Sequence, residues 1–134
     1  MKKVMVFGTF DIFHLGHISF LKQAQKYGDY LSVVIARDKT VLSVKGKFPK
    51  NKEESRVEKV LESGLADEVV LGNENNKYKI IKKFSPNIIC LGYDQKFFIK
   101  NLRIKLNEFG LKSTKVMKMK SFKPEIYKSS KLAK

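Results

Sequence analysis

Cysteine is almost missing from this chain: Cys90 is the only one in 134 residues. No internal disulfide can form, and with only two histidines beside it a four-ligand zinc site of the usual Cys/His kind is not expected. No apolar run approaches the ~20 residues that a membrane helix needs. Two lysines open the sequence, but the apolar stretch after them is short and runs into Asp11 and His14. No signal peptide is therefore expected, and the expected compartment is the cytoplasm. Internal repeats and low-complexity tracts are also absent. Acidic side chains are scarce, thirteen against twenty-eight basic ones, for a net charge of +15. Arginine is scarcer still: only Arg37, Arg56 and Arg103, all other basic residues being lysine.

What is present describes a globular protein. Hydrophobic residues at 43% and charged residues at 31% argue against disorder. The length suits one domain, residues 1–134, whose folding removes roughly two-thirds of the unfolded surface from water. The charge predicts anionic partners: phosphates, nucleotides, nucleic acid or acidic lipid. Lysines on solvated faces need no ligand, however, and that reading is preferred to nucleic-acid binding. Residues 96–134 hold twelve basic and two acidic side chains, so +10 of the +15 lies in the last third.

Hydrophobic patterning alternates between two periods. Lys3 to Phe7, closed by Gly8, is a short apolar run that reads as a buried strand. His17 to Tyr27 carries Ile18, Phe20, Leu21, Ala24 and Tyr27 at helical spacing and ends at Gly28-Asp29. Tyr30 to Ala36 is a second buried strand. Residues 37–52 are polar and lysine-rich, with Gly46 and Pro49, and read as a long loop of the kind that is usually functional. Glu53 to Ser63 places Val57, Val60 and Leu61 on one helical face. Glu68 to Leu71 is a third strand, Lys77 to Phe84 a short helix, and Asn87 to Leu91 a fourth strand. Lys96 to Phe109 is a helix with Phe98, Ile99, Leu102, Leu106 and Phe109 at core spacing, and Ser113 to Met119 is a fifth strand. Glu125 to Lys134 is ambiguous, a tail or a short final helix.

This alternation predicts an α/β fold: a five-stranded parallel sheet with helices on both faces. Ligands of such sheets sit outside the carboxyl ends of the strands. Three places qualify: Gly8 to His17, Arg37 onward, and Gly92 to Gln95.

The first is the richest. Gly8-Thr9-Phe10-Asp11-Ile12-Phe13-His14-Leu15-Gly16-His17 leaves a strand and opens a helix. Gly8 permits a sharp turn and close approach of a ligand. The helix start offers unpaired N–H groups and partial positive charge, both suited to phosphate. His14 and His17, the only histidines, are three apart and share one side of that first turn. The segment is not a P-loop, since no GK[ST] follows. It is not the dinucleotide fingerprint, since GxGxxG is absent, and no GxSxG elbow supports a serine hydrolase.

GTFDxxHxGH resembles the nucleotidyltransferase superfamily that includes the cytidylyltransferases and the wider HIGH-motif adenylyl-transferring enzymes. Pantetheine-phosphate and nicotinamide-mononucleotide adenylyltransferases usually have GxFDPxTxGH, with threonine where this chain has His14. The resemblance extends through Ala36-Arg37-Asp38, Lys45-Gly46, Arg56 and Leu91-Gly92-Tyr93-Asp94-Gln95. The ARD and LGxDQ segments look most like archaeal-type FAD synthases, which adenylylate FMN. Glycerol-3-phosphate cytidylyltransferases are similar but more often carry other residues there.

The resemblance implies a Rossmann-like nucleotidyltransferase fold and transfer of AMP from ATP to FMN, giving FAD and pyrophosphate. The alternative is transfer of CMP from CTP to glycerol 3-phosphate or a similar small phosphate. A basic nucleic-acid-binding module and a nucleotide-binding homologue without turnover are rivals of a different class. The resemblance assigns His14 and His17 to the triphosphate, Lys45 to a phosphate as a point charge (with Lys47 as its rival), and the backbone N–H groups of Thr9 and Phe10 to phosphates. Leu15 and Gly16 complete the nucleotide-binding turn. Arg56 either binds phosphate or forms a surface ion pair with Glu53. Asp94 either contacts ribose or base, or shapes a turn. Asp11 either orients a histidine, holds Mg²⁺ through water, or caps the loop, the last being preferred. Asp38 is a candidate near the acceptor.

Magnesium, or another divalent cation, is implied with the triphosphate, with no dedicated protein cage. The segment Ile126-Tyr127-Lys128-Ser129-Ser130 matches the family's ISTT-like phosphate-binding helix start, making Ser129 and Ser130 nucleotide-binding candidates. It departs from the family pattern by lacking the upstream arginine and by ending four residues later. Phe97, Phe98 or Phe122 could line an FMN slot and equally suit a core. No membrane partner is expected, and a homodimer is implied by resemblance only.

Overall fold

The computed structural model describes residues 1–73, 78–92 and 96–120, the side chains of 96–100 excepted. The elements run β1 (Lys3–Gly8), α1 (Leu15–Gln25), β2 (Tyr30–Ile35), α2 (Asp38–Lys45), α3 (Glu53–Glu62), β3 (Glu68–Leu71), α4 (Lys79–Phe84), β4 (Ile88–Leu91), α5 (Lys96–Glu108) and β5 (Lys115–Lys118). All four strand pairings are parallel, in the order β3-β2-β1-β4-β5. The expected five-stranded parallel sheet is thus present.

Burial explains why the central strands read as unbroken apolar runs. In β1 and β2 alternate residues enter opposite cores. Val4, Val6, Leu31, Val33 and Ile35 pack with Leu21 and Ala24 of α1 and Val60 of α3. Met5, Phe7, Val34, Ile89 and Leu91 pack with Ile81 of α4 and Leu102 and Leu106 of α5. Helices switch face because strand order reverses. The chain steps outward from β1 to β3 with α1 and α3 on one side, then returns past β1 to β4 and β5 with α4 and α5 on the other. One handedness of crossover requires this exchange. β1 and β4 are therefore neighbours at the switch point, the place where open α/β sheets bind ligands.

Two expectations are corrected. Residues 37–52 are not one loop, because Asp38–Lys45 is helical and only 46–52 connects it to α3. The helix carries Asp38 in its first turn and Lys45 in its last, which suit its dipole, and Gly46 stops it at φ 78°. Its apolar periodicity is faint because Val41 is its only buried residue. In α3, Leu61 is 51% exposed rather than in the core, and the buried positions are Arg56 and Val60. The remaining boundaries match expectation to within two residues. The possible helix at 125–134 lies outside the described residues.

Ser32 lies inside β2, paired in register with Met5 and Glu68. Its hydroxyl is buried without a hydrogen-bond partner. A buried hydroxyl that leaves water unpaired costs free energy. Ser32→Ala is expected to raise the unfolding free energy by about 1 kcal/mol, measured by urea denaturation; a loss of stability would contradict this account of β2.

Candidate active site

β1 ends at Gly8 and the chain turns tightly. A Cβ on Gly8 would lie 2.5 Å from the Phe10 ring. The space freed by glycine is thus filled by Phe10, not left open for a ligand. Phe10 takes φ 51° and is 3% exposed. A bulky residue rarely adopts that conformation, so the packing around it must hold it there. Its ring meets His17 edge-on at 5.0 Å, while Phe13 stacks on His17 at 5.6 Å.

The two histidines cap α1 reciprocally. His14 is the N-cap, and its Nδ1 accepts from the Gly16 N–H at 3.0 Å. The Nδ1 of His17 accepts from the His14 N–H at 3.3 Å. This is the logic of the capping box, with imidazoles in place of hydroxyl and carboxylate. A ring nitrogen that accepts from N–H carries no proton, so in both neutral rings the proton sits on Nε2. The rings stack with centroids 3.9 Å apart.

Both rings resist protonation. Burial lowers the pKa of His14 below 6.5. That of His17 falls from 6.5 to about 3, first through burial, then through His14 and Lys45, against a backbone hydrogen bond at Ile12 that raises it. The pair therefore stands as neutral N–H donors at pH 7. Unlike α2 and α3, α1 has no acidic residue in its first turn, so the partial positive charge of its N-terminus is uncompensated.

A second network buttresses the turn. Arg56 is fully buried. Its Nη1 donates to the Thr9 carbonyl at 2.9 Å and to the Ala36 carbonyl at 2.7 Å. Its Nε donates to the Asn51 carbonyl at 3.0 Å, and its Nη2 pairs with Asp38 at 2.7 Å. Glu53 accepts from the Asp38 N–H at 2.7 Å and faces Arg37 at 3.5 Å. Asp11 accepts from the backbone N–H groups of Lys50 and Asn51, both at 2.8 Å, and the Asn51 amide donates to the Asp11 carbonyl.

The pattern of the cytidylyltransferase-like family matches residues 5–134. A FAD synthase of Thermoplasma volcanium is 40% identical over 134 residues, 100% of this chain and 93% of its own. A FAD synthase of Pyrococcus abyssi is 41% identical over 133 residues, 98% of this chain and 90% of its own. A crystal structure described as a lipopolysaccharide core biosynthesis protein from Thermoplasma volcanium superposes with TM-score 0.85 at 42% identity, covering 91% of this chain and 98% of that one. The chain belongs to the cytidylyltransferase-like family. It is accordingly a nucleotidyltransferase with that family's α/β fold.

Against this family background the expected site residues separate into groups. His14, His17, Thr9, Phe10, Leu15 and Gly16 come together at the β1–α1 turn, although the Gly16 N–H is taken by His14. Lys45, in the last turn of α2 rather than on a loop, is the lysine whose charge acts on His17. Arg56 departs from both expected roles: it is buried, it spends its guanidinium on the protein, and Glu53 pairs with Arg37 instead. Asp38 faces Arg56. Asp11 serves as a cap, across 39 and 40 residues of sequence. Asp94, Ser129, Ser130, Phe97, Phe98 and Phe122 have side chains outside those described. Glu53 and Asn51 as latches were missed, because contacts so distant in sequence leave no local pattern. Among the described residues no group of three or more His, Cys, Asp or Glu could hold a metal ion.

Two tests follow from this geometry. The His17 pKa is about 3 when folded, against 6.5 ordinarily. Between those values the unfolded chain binds more protons, so acid favours unfolding. The melting temperature should fall from pH 6.5 toward pH 3, and less steeply in His17→Asn, whose amide oxygen replaces Nδ1; parallel pH profiles would sink the assignment. Arg56→Lys should cost about 3 kcal/mol or more in chemical denaturation, because a lysine cannot serve four acceptors in that geometry.

Proposed function

We propose that this nucleotidyltransferase transfers AMP from ATP to FMN. An oxygen of the FMN phosphate attacks the α-phosphorus, the bond to the bridging oxygen of the β-phosphate breaks, and pyrophosphate leaves with that electron pair. The nucleophile is already an anion, so no strong base is needed. Catalysis consists of positioning and neutralising charge as it develops. The relatives named FAD synthase, about 40% identical over nearly the whole chain, support the choice of substrates.

The observation that carries the mechanism is the reciprocal imidazole cap. Both Nδ1 atoms are tied to the backbone, so Nε2–H, buried on His14, is the donor each ring has for phosphate oxygens. Donation by His17 replaces its hydrogen bond at Ile12. Neutral rings lose less on leaving water than imidazolium would, and the arriving triphosphate strengthens their hold as it raises their pKa. Lys45 adds a point charge on the β- or γ-phosphate, and the backbone N–H groups of Thr9, Phe10 and Leu15 add further donors. The family resemblance adds Asp94, Ser129 and Ser130, which lie outside the described residues, as further nucleotide-binding candidates.

A divalent cation such as Mg²⁺, bound with the triphosphate, would supply partial neutralisation of its charge. The described side chains fit that arrangement and not a protein-held cation: Asp11 is engaged by two backbone N–H groups and Asp38 by Arg56.

Purified protein with Mg²⁺ should convert ATP and FMN to FAD, read by chromatography with pyrophosphate release. His17→Asn should lower kcat by roughly 10²–10³-fold while the folded spectrum is kept. Turnover of CTP with glycerol 3-phosphate, and none of ATP with FMN, would replace these substrates. Unchanged kcat in His17→Asn would remove the histidine from the mechanism. A salt-dependent nucleic-acid shift surviving His14→Ala, with no triphosphate turnover, would favour a binding module.

A further inference from the structure

Helix α2 is short and almost without apolar anchorage. Its only buried residue is Val41. Packing of one valine does not fix the direction of a helix, yet both ends of α2 matter. Asp38 is its first residue and Lys45 its last, so about 10 Å of rigid backbone separates them.

The N-terminal end is held by polar groups. Nη2 of Arg56 pairs with the Asp38 carboxylate at 2.7 Å, and Glu53 accepts from the Asp38 N–H at 2.7 Å. Glu53 is held in turn by Arg37, whose Nε donates to the Gly72 carbonyl at 2.6 Å. The same Arg56 also donates to the Thr9 carbonyl, one residue after the end of β1. One buried cation thus grips the helix that carries the lysine and the turn that carries the histidines.

We infer that Arg56 and Asp38 are positioning residues for Lys45. By tying the start of α2 to the β1–α1 turn, they set where the lysine at the far end stands relative to His14 and His17. The inference rests on the nucleotidyl transfer proposed above. The charge of Lys45 acts on His17, and the contacts of Arg56 with Asp38 and with the Thr9 carbonyl join the two elements that carry them. Arg56 acts from inside the protein and touches no substrate; its effect reaches phosphate only through the direction of α2.

The test is a double-mutant cycle on FAD formation. Lys45→Ala should lower kcat about 100-fold, and Asp38→Asn about 10-fold with less change in KM for ATP. The double variant should be no slower than Lys45→Ala, because the latch has nothing left to position. Losses that multiply would overturn the inference, as would wild-type kcat in Asp38→Asn. If Asp38→Asn does not fold, Glu53→Gln replaces it in the same cycle.

A second readout needs no turnover. The chain has two histidines, so their ring proton signals are assignable by NMR with His14→Asn. Asp38→Asn should move the His17 signal in the same direction as Lys45→Ala, and adding it to Lys45→Ala should move that signal no further. An unmoved His17 signal in Asp38→Asn would overturn the latch. If the wild type makes no FAD, the proposed substrates fail and the ring signal alone decides.

Discussion

An imidazole nitrogen cannot accept a hydrogen bond and carry a proton at once. Much of this site follows from that constraint. The first turn of α1 must satisfy its own N–H groups, and His14 and His17 do so through Nδ1. The tautomer of each ring is thereby set by the backbone. Burial, the stacked partner ring and Lys45 keep His17 uncharged. In the mechanism proposed above, the first contacts to phosphate are therefore oriented dipoles, with net positive charge supplied from a separate helix. Such donors need little rearrangement when charge moves during reaction, which is where preorganised sites gain most.

Around that turn the fold uses two kinds of support. The sheet is covered on both faces by aliphatic packing, which places β1 and β4 side by side at the switch point. The outer wall, α2 and the 46–52 connection, has little apolar contact and is fastened by Arg56, Glu53 and Asp11. Aliphatic packing tolerates small shifts in direction. A buried guanidinium with four acceptors does not, because each lost bond leaves a carbonyl or a carboxylate unpaired.

The sheet was legible in the sequence because strands buried on both faces carry an unbroken apolar signal. β3 begins and ends where the pattern puts it, and β1 and β2 differ from expectation by a single residue. The histidine pair was legible because motif and junction coincide. Helix α2 was not, since one buried side chain in eight produces no periodicity. Leu61 was misplaced because α3 devotes an inward position to Arg56, which a hydrophobic pattern counts as polar. The latches were hidden for another reason: Asp11 with Asn51, and Arg56 with Thr9, are 40 and 47 residues apart.

The N-cap position of α1 has an evolutionary reading. The GxFDPxTxGH pattern that this segment resembles has threonine where this chain has His14, and a threonine hydroxyl is also a good N-cap acceptor. Exchange between the two would preserve the helix start and alter only how far a donor extends beyond it. The N-cap requirement thus leaves the reach of the side chain at this position free to vary while the scaffold beneath it stays folded.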